Sequence, residues 1–275
     1  VKEVNTLNRV IEDFSATDST HGVYDKVVDL GVDVLKADKV FFHFFSEQDN
    51  SLILIAQSSS EAAHRTGTGE FESDIPLKTR NYIIDAIQAD DKPFLISESP
   101  TGTGIDELIN SCMVVPLKIR DKIFGVASAF IFEPDRFFGE KDIYYMTFIT
   151  QKAASAIENI ALYGNIFENL FSTLRAFVTA LEARDLYTRK HSTRVSKCAH
   201  LIAGAMGCSP EELEIIDFAG SLHDIGKIGI PDDILLKPGR LTSEEYEKIK
   251  EHPVIGAEIV GKLGLWDRET EIIRY

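Results

Sequence analysis

A histidine and an aspartate stand side by side at His223 and Asp224, within the stretch GSLHDIGKIGIPD. Neighbours on a continuous helix point about 100° apart, so the two side chains share one metal ion awkwardly. Two metal ions remove that difficulty, because the histidine can bind one ion while the carboxylate spans both. An ionisable pair directly after the apolar residue Leu222 is costly to bury unless it is paired or bound to metal. We expect Gly226 and Gly229 to let the backbone turn sharply after the pair.

Two further histidines fall at the ends of predicted helices in the same region. His191 begins one helical segment, and His252 closes another that starts at the capping box Thr242-x-x-Glu245. The second helix is expected to end there because Pro253 disfavours helix for the residue before it. Imidazole and carboxylate ligands suit iron, manganese, zinc or nickel better than magnesium or calcium. For any one of these histidines, a surface or hydrogen-bonded core residue is the alternative interpretation.

The elements that must position these residues change in character along the chain. The first half predicts α+β structure with an antiparallel sheet, because it alternates helical patterns with two hairpin patterns. A helical pattern then runs from about Glu140 for some forty-five residues, and after Asp185 the chain is helical throughout. The two predicted hairpins pair Lys39–Glu47 with Ser51–Gln57 and Ser111–Ile119 with Lys122–Phe132.

Apolar residues recur at steps of three and four along the predicted long helix. Such a seam suits packing against a partner helix and predicts a homodimer through this connector. The alternative is that the seam packs on the chain's own domains. Gly164 interrupts the pattern near its start and indicates a bend. The seam residues are Tyr163, Ile166, Leu170, Leu174, Phe177 and Leu181.

Composition excludes some classes of function. The net charge is −15, from 44 acidic and 29 basic residues, which argues against general nucleic-acid binding. A compact anionic ligand remains compatible, since a metal site supplies its own positive charge. The three cysteines form no CxxC pattern, which indicates a reducing compartment and hence the cytoplasm. No apolar run reaches the roughly 18 residues of a membrane span, so we expect a soluble chain.

The run HDIGKIGIPDDILLKPGRLTSEEYEKIKEHPVIGAEIV, with YTRKHSTRV upstream, resembles the HD-GYP subgroup of the HD phosphohydrolases. The resemblance covers about residues 171–275. It implies a phosphodiesterase that opens cyclic di-GMP with a cluster of two or three metal ions, often iron or manganese. Diguanylate cyclase (GGDEF) proteins are a further expected partner.

Carried over residue by residue, the resemblance makes His191, His223, Asp224 and His252 metal ligands, with Asp224 bridging two ions. Lys227 would steady the scissile phosphate or the nucleophile, so that Asp224 and Lys227 are the catalytic residues. A hydroxide between the metals would attack phosphorus in line, while the metals and Lys227 offset charge on the phosphate oxygens. The alternative for Lys227 is a solvated lysine at a helix C-terminus.

The sequence departs from the family pattern in two places. Some members carry a glutamate four residues before the first histidine, where it holds a third metal ion. Here Tyr187 occupies that position, and a phenol is a poor ligand for such an ion, so we expect two ions. The family pattern continues with two adjacent histidines, a Gly-Tyr-Pro stretch and a further aspartate, whereas this sequence ends at Tyr275. We therefore expect a fragment that binds metal poorly and shows no turnover.

The first half resembles a GAF domain, on VVPLKIRDKIFGVASAF and the following FFGEKDIYYMTFITQKAASAIENIALY. GAF domains bind small ligands between sheet and helical loops, or only dimerise, and the sequence names no ligand. The expected fold is an α+β GAF domain joined by a long helix to an all-α HD-type helical bundle. We assign the GAF sensory domain to 1–139, the connector to 140–185 and the N-terminal part of the HD-GYP domain to 186–275.

Together these expectations describe a metal-dependent phosphodiesterase that hydrolyses cyclic di-GMP under the control of a GAF domain. Two other functions stay open. In the first, the output domain is catalytically silent and binds cyclic di-GMP or a partner protein. In the second, it is an HD phosphohydrolase that acts on another nucleotide.

Overall fold

A computed structural model describes residues 2–60, 74–97, 106, 108–184 and 191–275. The chain divides into two compact units, residues 1–164 and 165–275. Among the described residues, no helix combines the length and apolar character that crossing a membrane requires. Tyr187, which the sequence places at the position of a third metal ligand, lies outside the described residues.

The N-terminal unit contains a five-stranded antiparallel sheet in the order β2-β1-β5-β4-β3, and both predicted hairpins are confirmed. The β4–β5 hairpin turns through Arg120 and Asp121, which both have positive φ (50° and 63°), as a two-residue type I′ turn requires. The strands are β1 Lys39–Ser46, β2 Ser51–Ser59, β3 Phe94–Ser97, β4 Ser111–Ile119 and β5 Lys122–Ile131; the helices are α1 Lys2–Ser15, α2 Thr20–Leu35 and α3 Leu77–Ala89.

The two faces of this sheet are buried in separate apolar clusters. One cluster joins the sheet to α1 and α2 through residues such as Val27 and Phe42, and the other joins it to α3 through Ile83. Cys112 lies in the second cluster, where burial raises the pKa of its thiol. It therefore packs as a small, neutral, apolar side chain. His43 is fully buried on the same sheet, and its Nε2 lies 2.7 Å from Asp74 Oδ1.

A single long helix, α4 (Glu140–Arg184), follows the sheet and runs for 45 residues, as predicted. Its helical structure continues through Gly164, where a bend is expected from the sequence. The predicted seam has two different environments. Leu174 is buried in the core of the C-terminal unit, against which Leu170 also packs. Ile166 and Phe177 are about half exposed, at 51% each, and so do not belong to that core.

In its described residues, 165–184 and 191–275, the C-terminal unit contains helices and no strand, in agreement with the predicted fold class. Its core includes Leu174, Phe218, Leu222 and Trp266. Its elements, besides the end of α4, are α5 His191–Ala205, α6 Pro210–Leu222, a 3₁₀ helix Ile225–Gly229, α7 Asp232–Leu235, α8 Ser243–Ile249, α9 His252–Gly261 and α10 Asp267–Arg274.

The helix boundary at His252 differs from the prediction. Helix α8 ends at Ile249, and His252 begins α9 instead of closing the preceding helix. Pro253 occupies the first turn of α9, where a missing N–H costs nothing because that turn has no intrahelical acceptor for it. The capping box at Thr242 is confirmed, since its hydroxyl accepts from the backbone N–H of Glu245.

Candidate metal centre

Four elements of the C-terminal unit bring the predicted ligands together. His191 is the first residue of α5, His223 directly follows α6, Asp224 precedes the 3₁₀ helix, and His252 is the first residue of α9. The Nε2 atoms of His191, His223 and His252 lie 3.9, 3.6 and 3.5 Å from the nearest carboxylate oxygen of Asp224. The structure therefore places all four predicted ligands in one cluster around Asp224.

The two carboxylate oxygens of Asp224 face different neighbours. Oδ1 is the atom nearest to His223 and His252, whereas Oδ2 is nearest to His191 and lies 2.6 Å from Lys227 Nζ. Asp224 is only 5% exposed, so its charge is held mainly by these neighbours and not by water. Imidazole nitrogen atoms thus lie beside both oxygens of Asp224. This arrangement is compatible with a carboxylate that bridges two ions.

Backbone carbonyls fix the orientation of two of the imidazole rings. His223 Nδ1 donates to the carbonyl of Gly220 at 2.9 Å, and His252 Nδ1 donates to that of Ile249 at 2.7 Å. A carbonyl only accepts, so the Nδ1 atom carries the proton, and in the neutral ring Nε2 is left with a lone pair. In both residues Nε2 is the nitrogen that faces Asp224. This is the usual orientation of a metal-binding histidine.

The spacing of the donor atoms fits a metal ion. Atoms of His191, His223 and Asp224 that can each donate to a metal all lie within 4.8 Å of one another. Two ligands about 2.0–2.2 Å from a shared ion are roughly 3–3.5 Å apart at ordinary coordination angles. The N–O distances to Asp224 are close to that range, so small side-chain movements suffice for binding. Imidazole and carboxylate donors suit iron, manganese or zinc.

Lys227 is not the solvated lysine of the alternative interpretation. Its side chain is 20% exposed, and its ammonium group donates to Asp224 Oδ2. It contributes a fixed positive charge at the side of Asp224 that also faces His191.

Gly226 is essential to the cluster for a reason that the sequence did not reveal. We expected it to allow a sharp turn, but neither Gly226 nor Gly229 has a positive φ. A Cβ on Gly226 would instead lie 2.5 Å from the backbone nitrogen of Gly256 and closer still to the carbonyl oxygen of His252. The absence of a side chain lets the 3₁₀ helix lie directly against the start of α9. This contact places His252 beside Asp224.

Sequence reasoning also missed the groups that support the ligands. The carbonyls of Gly220 and Ile249 belong to the backbone, which every residue has, so the residue types at these positions do not indicate their role. Glu182, near the end of α4, accepts a hydrogen bond at 2.7 Å from the backbone N–H of Ser192, next to His191. Helical spacing gave no reason to connect Glu182 with the metal centre.

The model of the HD domain family matches residues 188–275. This part of the chain is an HD domain. All four clustered side chains and Lys227 lie within the matched residues, and the domain therefore contains the whole candidate metal centre.

Curated relatives of the HD domain include several phosphodiesterases. The cyclic di-GMP phosphodiesterase response regulator RpfG of Xanthomonas campestris is 42% identical over 41% of this chain and 30% of its own length. A cyclic di-GMP phosphodiesterase of Thermotoga maritima is 33% identical over 70% of this chain and 50% of its own length. The 3′3′-cGAMP-specific phosphodiesterase 2 of Vibrio cholerae is 35% identical over 38% of this chain and 20% of its own length. The chain thus spans half or less of the length of these relatives.

Solved structures similar to the chain include the GAF domain of an Acinetobacter phosphoenolpyruvate-protein phosphotransferase. It is 16% identical, with a TM-score of 0.47, over 60% of this chain and 98% of that one.

Proposed function

We propose that the HD domain is a metal-dependent phosphodiesterase that hydrolyses cyclic di-GMP, and that the N-terminal unit is a GAF sensory domain that controls it. One observation carries the proposal: three imidazole Nε2 atoms and an ammonium group surround the two oxygens of the buried Asp224. The relatives named as cyclic di-GMP phosphodiesterases support the choice of substrate.

His191, His223 and Asp224, whose donor atoms lie within 4.8 Å of one another, would hold one ion, and His252 with Asp224 would help to hold a second. The donor set suits iron, manganese or zinc, and the resemblance to the HD-GYP subgroup favours iron or manganese among them. When bound, the pair of ions supplies a hydroxide nucleophile near neutral pH and offsets the charge on the phosphate. Four protein donors leave positions open for water and for phosphate oxygens.

The residues of the chain have separate roles in this proposal. The carbonyls of Gly220 and Ile249 keep the rings of His223 and His252 oriented, so no ring has to turn when substrate arrives. Lys227 places a positive charge at the site, where it attracts the phosphodiester and stabilises the additional negative charge that develops during attack. The burial of Asp224 limits the water that competes for these interactions.

A hydrolysis assay tests this function. The complete gene product, purified without oxygen and supplied with Fe(II) or Mn(II), is incubated with cyclic di-GMP, and the products are separated by chromatography. We expect hydrolysis that disappears in the variant His223→Ala/Asp224→Ala. Metal-loaded protein that hydrolyses no cyclic di-GMP contradicts the proposal and favours the silent binding module. Preference for 3′3′-cGAMP in a parallel reaction would instead favour another nucleotide as substrate.

The prediction that the 275 residues alone bind metal poorly and show no turnover is tested by the same assay on that polypeptide. The predicted association with diguanylate cyclases stays a prediction.

We also propose that the exposed part of the seam on α4 packs against a second copy of the chain. Tyr163 and Phe177 are two heptads apart, and their side chains are 74% and 51% exposed, respectively. Ile166, three residues after Tyr163, is 51% exposed. Heptad spacing of exposed apolar residues on a long helix is typical of a coiled-coil partner. The buried Leu174 belongs to the core of the C-terminal unit and does not contribute to this surface.

Substitutions of an exposed and of a buried seam residue on α4 should affect different properties, the oligomeric state and the thermal stability. We expect Phe177→Ser to convert a dimer into a monomer with little change in thermal stability. Leu174→Ala should instead destabilise the C-terminal unit by about 2–5 kcal/mol, because it leaves a cavity in the core. Sedimentation velocity and thermal unfolding measure the two effects. A wild-type monomer, or a Phe177→Ser dimer of unchanged affinity, contradicts the proposed interface.

A further inference from the structure

The structure describes helix α5 from His191 onward, and the residues directly before it lie outside the described part of the chain. Helices α6 and α8 are capped by the hydroxyls of Ser209 and Thr242, which directly precede them. The N–H groups at the start of an α-helix have no acceptor inside the helix, and a side chain from elsewhere can supply one.

Glu182 supplies that acceptor from another helix. Its Oε1 atom accepts from the backbone N–H of Ser192, the second residue of α5, at 2.7 Å. A carboxylate is favoured at a helix N-terminus because it offsets the positive end of the helix dipole. Ser192 is 5% exposed, so this charge-assisted bond is partly shielded from water and correspondingly strong.

The contact also bears on His191, which directly precedes Ser192. The rings of His223 and His252 are each held by a carbonyl three residues earlier. For His191, the carbonyl three residues earlier lies outside the described residues. Its imidazole is carried by the first turn of α5, which Glu182 holds through Ser192.

We propose that Glu182 is a positioning residue for the metal centre, which fixes the first turn of α5 and thereby holds His191 at Oδ2 of Asp224. The proposal rests on the proposed role of His191 as a metal ligand. Glu182 lies in the last turns of α4 and accepts a hydrogen bond from Ser192, the residue next to His191. A movement of the end of α4 would therefore also move the first turn of α5. Glu182 is then the point at which α4 acts on the metal centre.

Metal titration of three variants tests this role. Free Mn(II) is measured by electron paramagnetic resonance while Mn(II) alone is added to the complete gene product. We expect Glu182→Ala to bind Mn(II) about 10–100-fold more weakly, as is typical when a group that orients a ligand is removed. Glu182→Gln keeps an acceptor oxygen and should recover part of the affinity. Glu168→Ala, an exposed glutamate on the same helix, should bind as wild type does.

A double variant separates positioning from a general loss of stability. If Glu182 acts through His191, then Glu182→Ala/His191→Ala binds Mn(II) no more weakly than His191→Ala alone. Additive losses in the double variant, or wild-type affinity in Glu182→Ala, would overturn the proposal. Ser192→Ala is a second control, because it removes the hydroxyl of Ser192 and keeps the backbone N–H that Glu182 binds.

Amide hydrogen exchange tests the contact between Glu182 and α5 separately from metal binding. In Glu182→Ala the amides in the first turn of α5 should exchange faster, while those of α6 keep their rates. Unchanged exchange in α5 refutes the contact itself. If the wild-type protein binds no Mn(II), then His191 is not a metal ligand and Glu182 has no positioning role at a metal centre. The exchange result can still confirm the contact between α4 and α5 in that case.

Discussion

Asp224→Asn is expected to abolish hydrolysis and to weaken Mn(II) binding by more than about a hundredfold, which exceeds the loss typical for a supporting residue. The substitution removes the negative charge and replaces one carboxylate oxygen by an NH₂ group that cannot bind a cation. Both oxygens of Asp224 have neighbours, so either orientation of the amide leaves one side of the site without its acceptor. The one remaining oxygen belongs to a neutral amide, which is a poor bridging ligand for two cations.

The control for this substitution is Asp217→Asn in the same unit. Asp217 bonds to His200 at 2.8 Å, but its side chain is 44% exposed and lies outside the proposed ligand set. We expect this variant to bind Mn(II) and to hydrolyse substrate as the wild type does. Thermal unfolding of both variants checks that the HD domain is folded. An Asp224→Asn protein that is folded and binds Mn(II) with wild-type affinity would exclude Asp224 as a bridging ligand.

Gly226→Ala is expected to destabilise the HD domain and to impair metal binding together. Overpacking typically costs about 1–3 kcal/mol. Here the added methyl group meets backbone atoms of His252 and Gly256 and no flexible side chain, so we expect a cost at or above the top of that range. The strain is relieved only if the 3₁₀ helix and the start of α9 move apart, and this movement takes His252 away from Asp224.

Gly204→Ala is the matched control, since Gly204 lies inside α5 and nothing occupies the 4 Å around its missing Cβ. That substitution should stabilise the helix by up to about 1 kcal/mol, because alanine has the higher helix propensity. Thermal unfolding and Mn(II) titration are measured for both variants. If Gly226→Ala has wild-type stability and affinity, then close packing against α9 does not position His252.

Periodic features of the chain were predictable because they depend on local sequence. The alternation of apolar residues gave both hairpins of the sheet, and the helical period gave the 45 residues of α4. The four residues of the cluster around Asp224 were also predicted, since His223 and Asp224 stand in a distinctive run, His191 and His252 fall at the ends of predicted helices, and the resemblance joins all four in one proposed ligand set. These inferences required no knowledge of contacts between distant segments.

The features that escaped prediction depend on such contacts. Gly226 is required by the backbone of α9, some thirty residues later, and its own neighbours in sequence suggest only a turn. Pro253 can end one helix or begin another, and the choice depends on whether α9 packs against the 3₁₀ helix. Leu174 and Phe177 look alike in a seam pattern, although one is buried in the C-terminal unit and the other is exposed.

The unbroken α4 restricts how its length can change in evolution or in engineering. Each residue inserted into an α-helix rotates everything beyond it by about 100° and advances it by about 1.5 Å, like the thread of a screw. Inserting two residues would therefore point Glu182 to nearly the opposite side of the helix relative to the residues before the insertion. Seven residues complete almost two full turns and restore its direction. Changes to the length of α4 are thus expected to be tolerated in whole heptads of helix-forming residues that keep the apolar pattern.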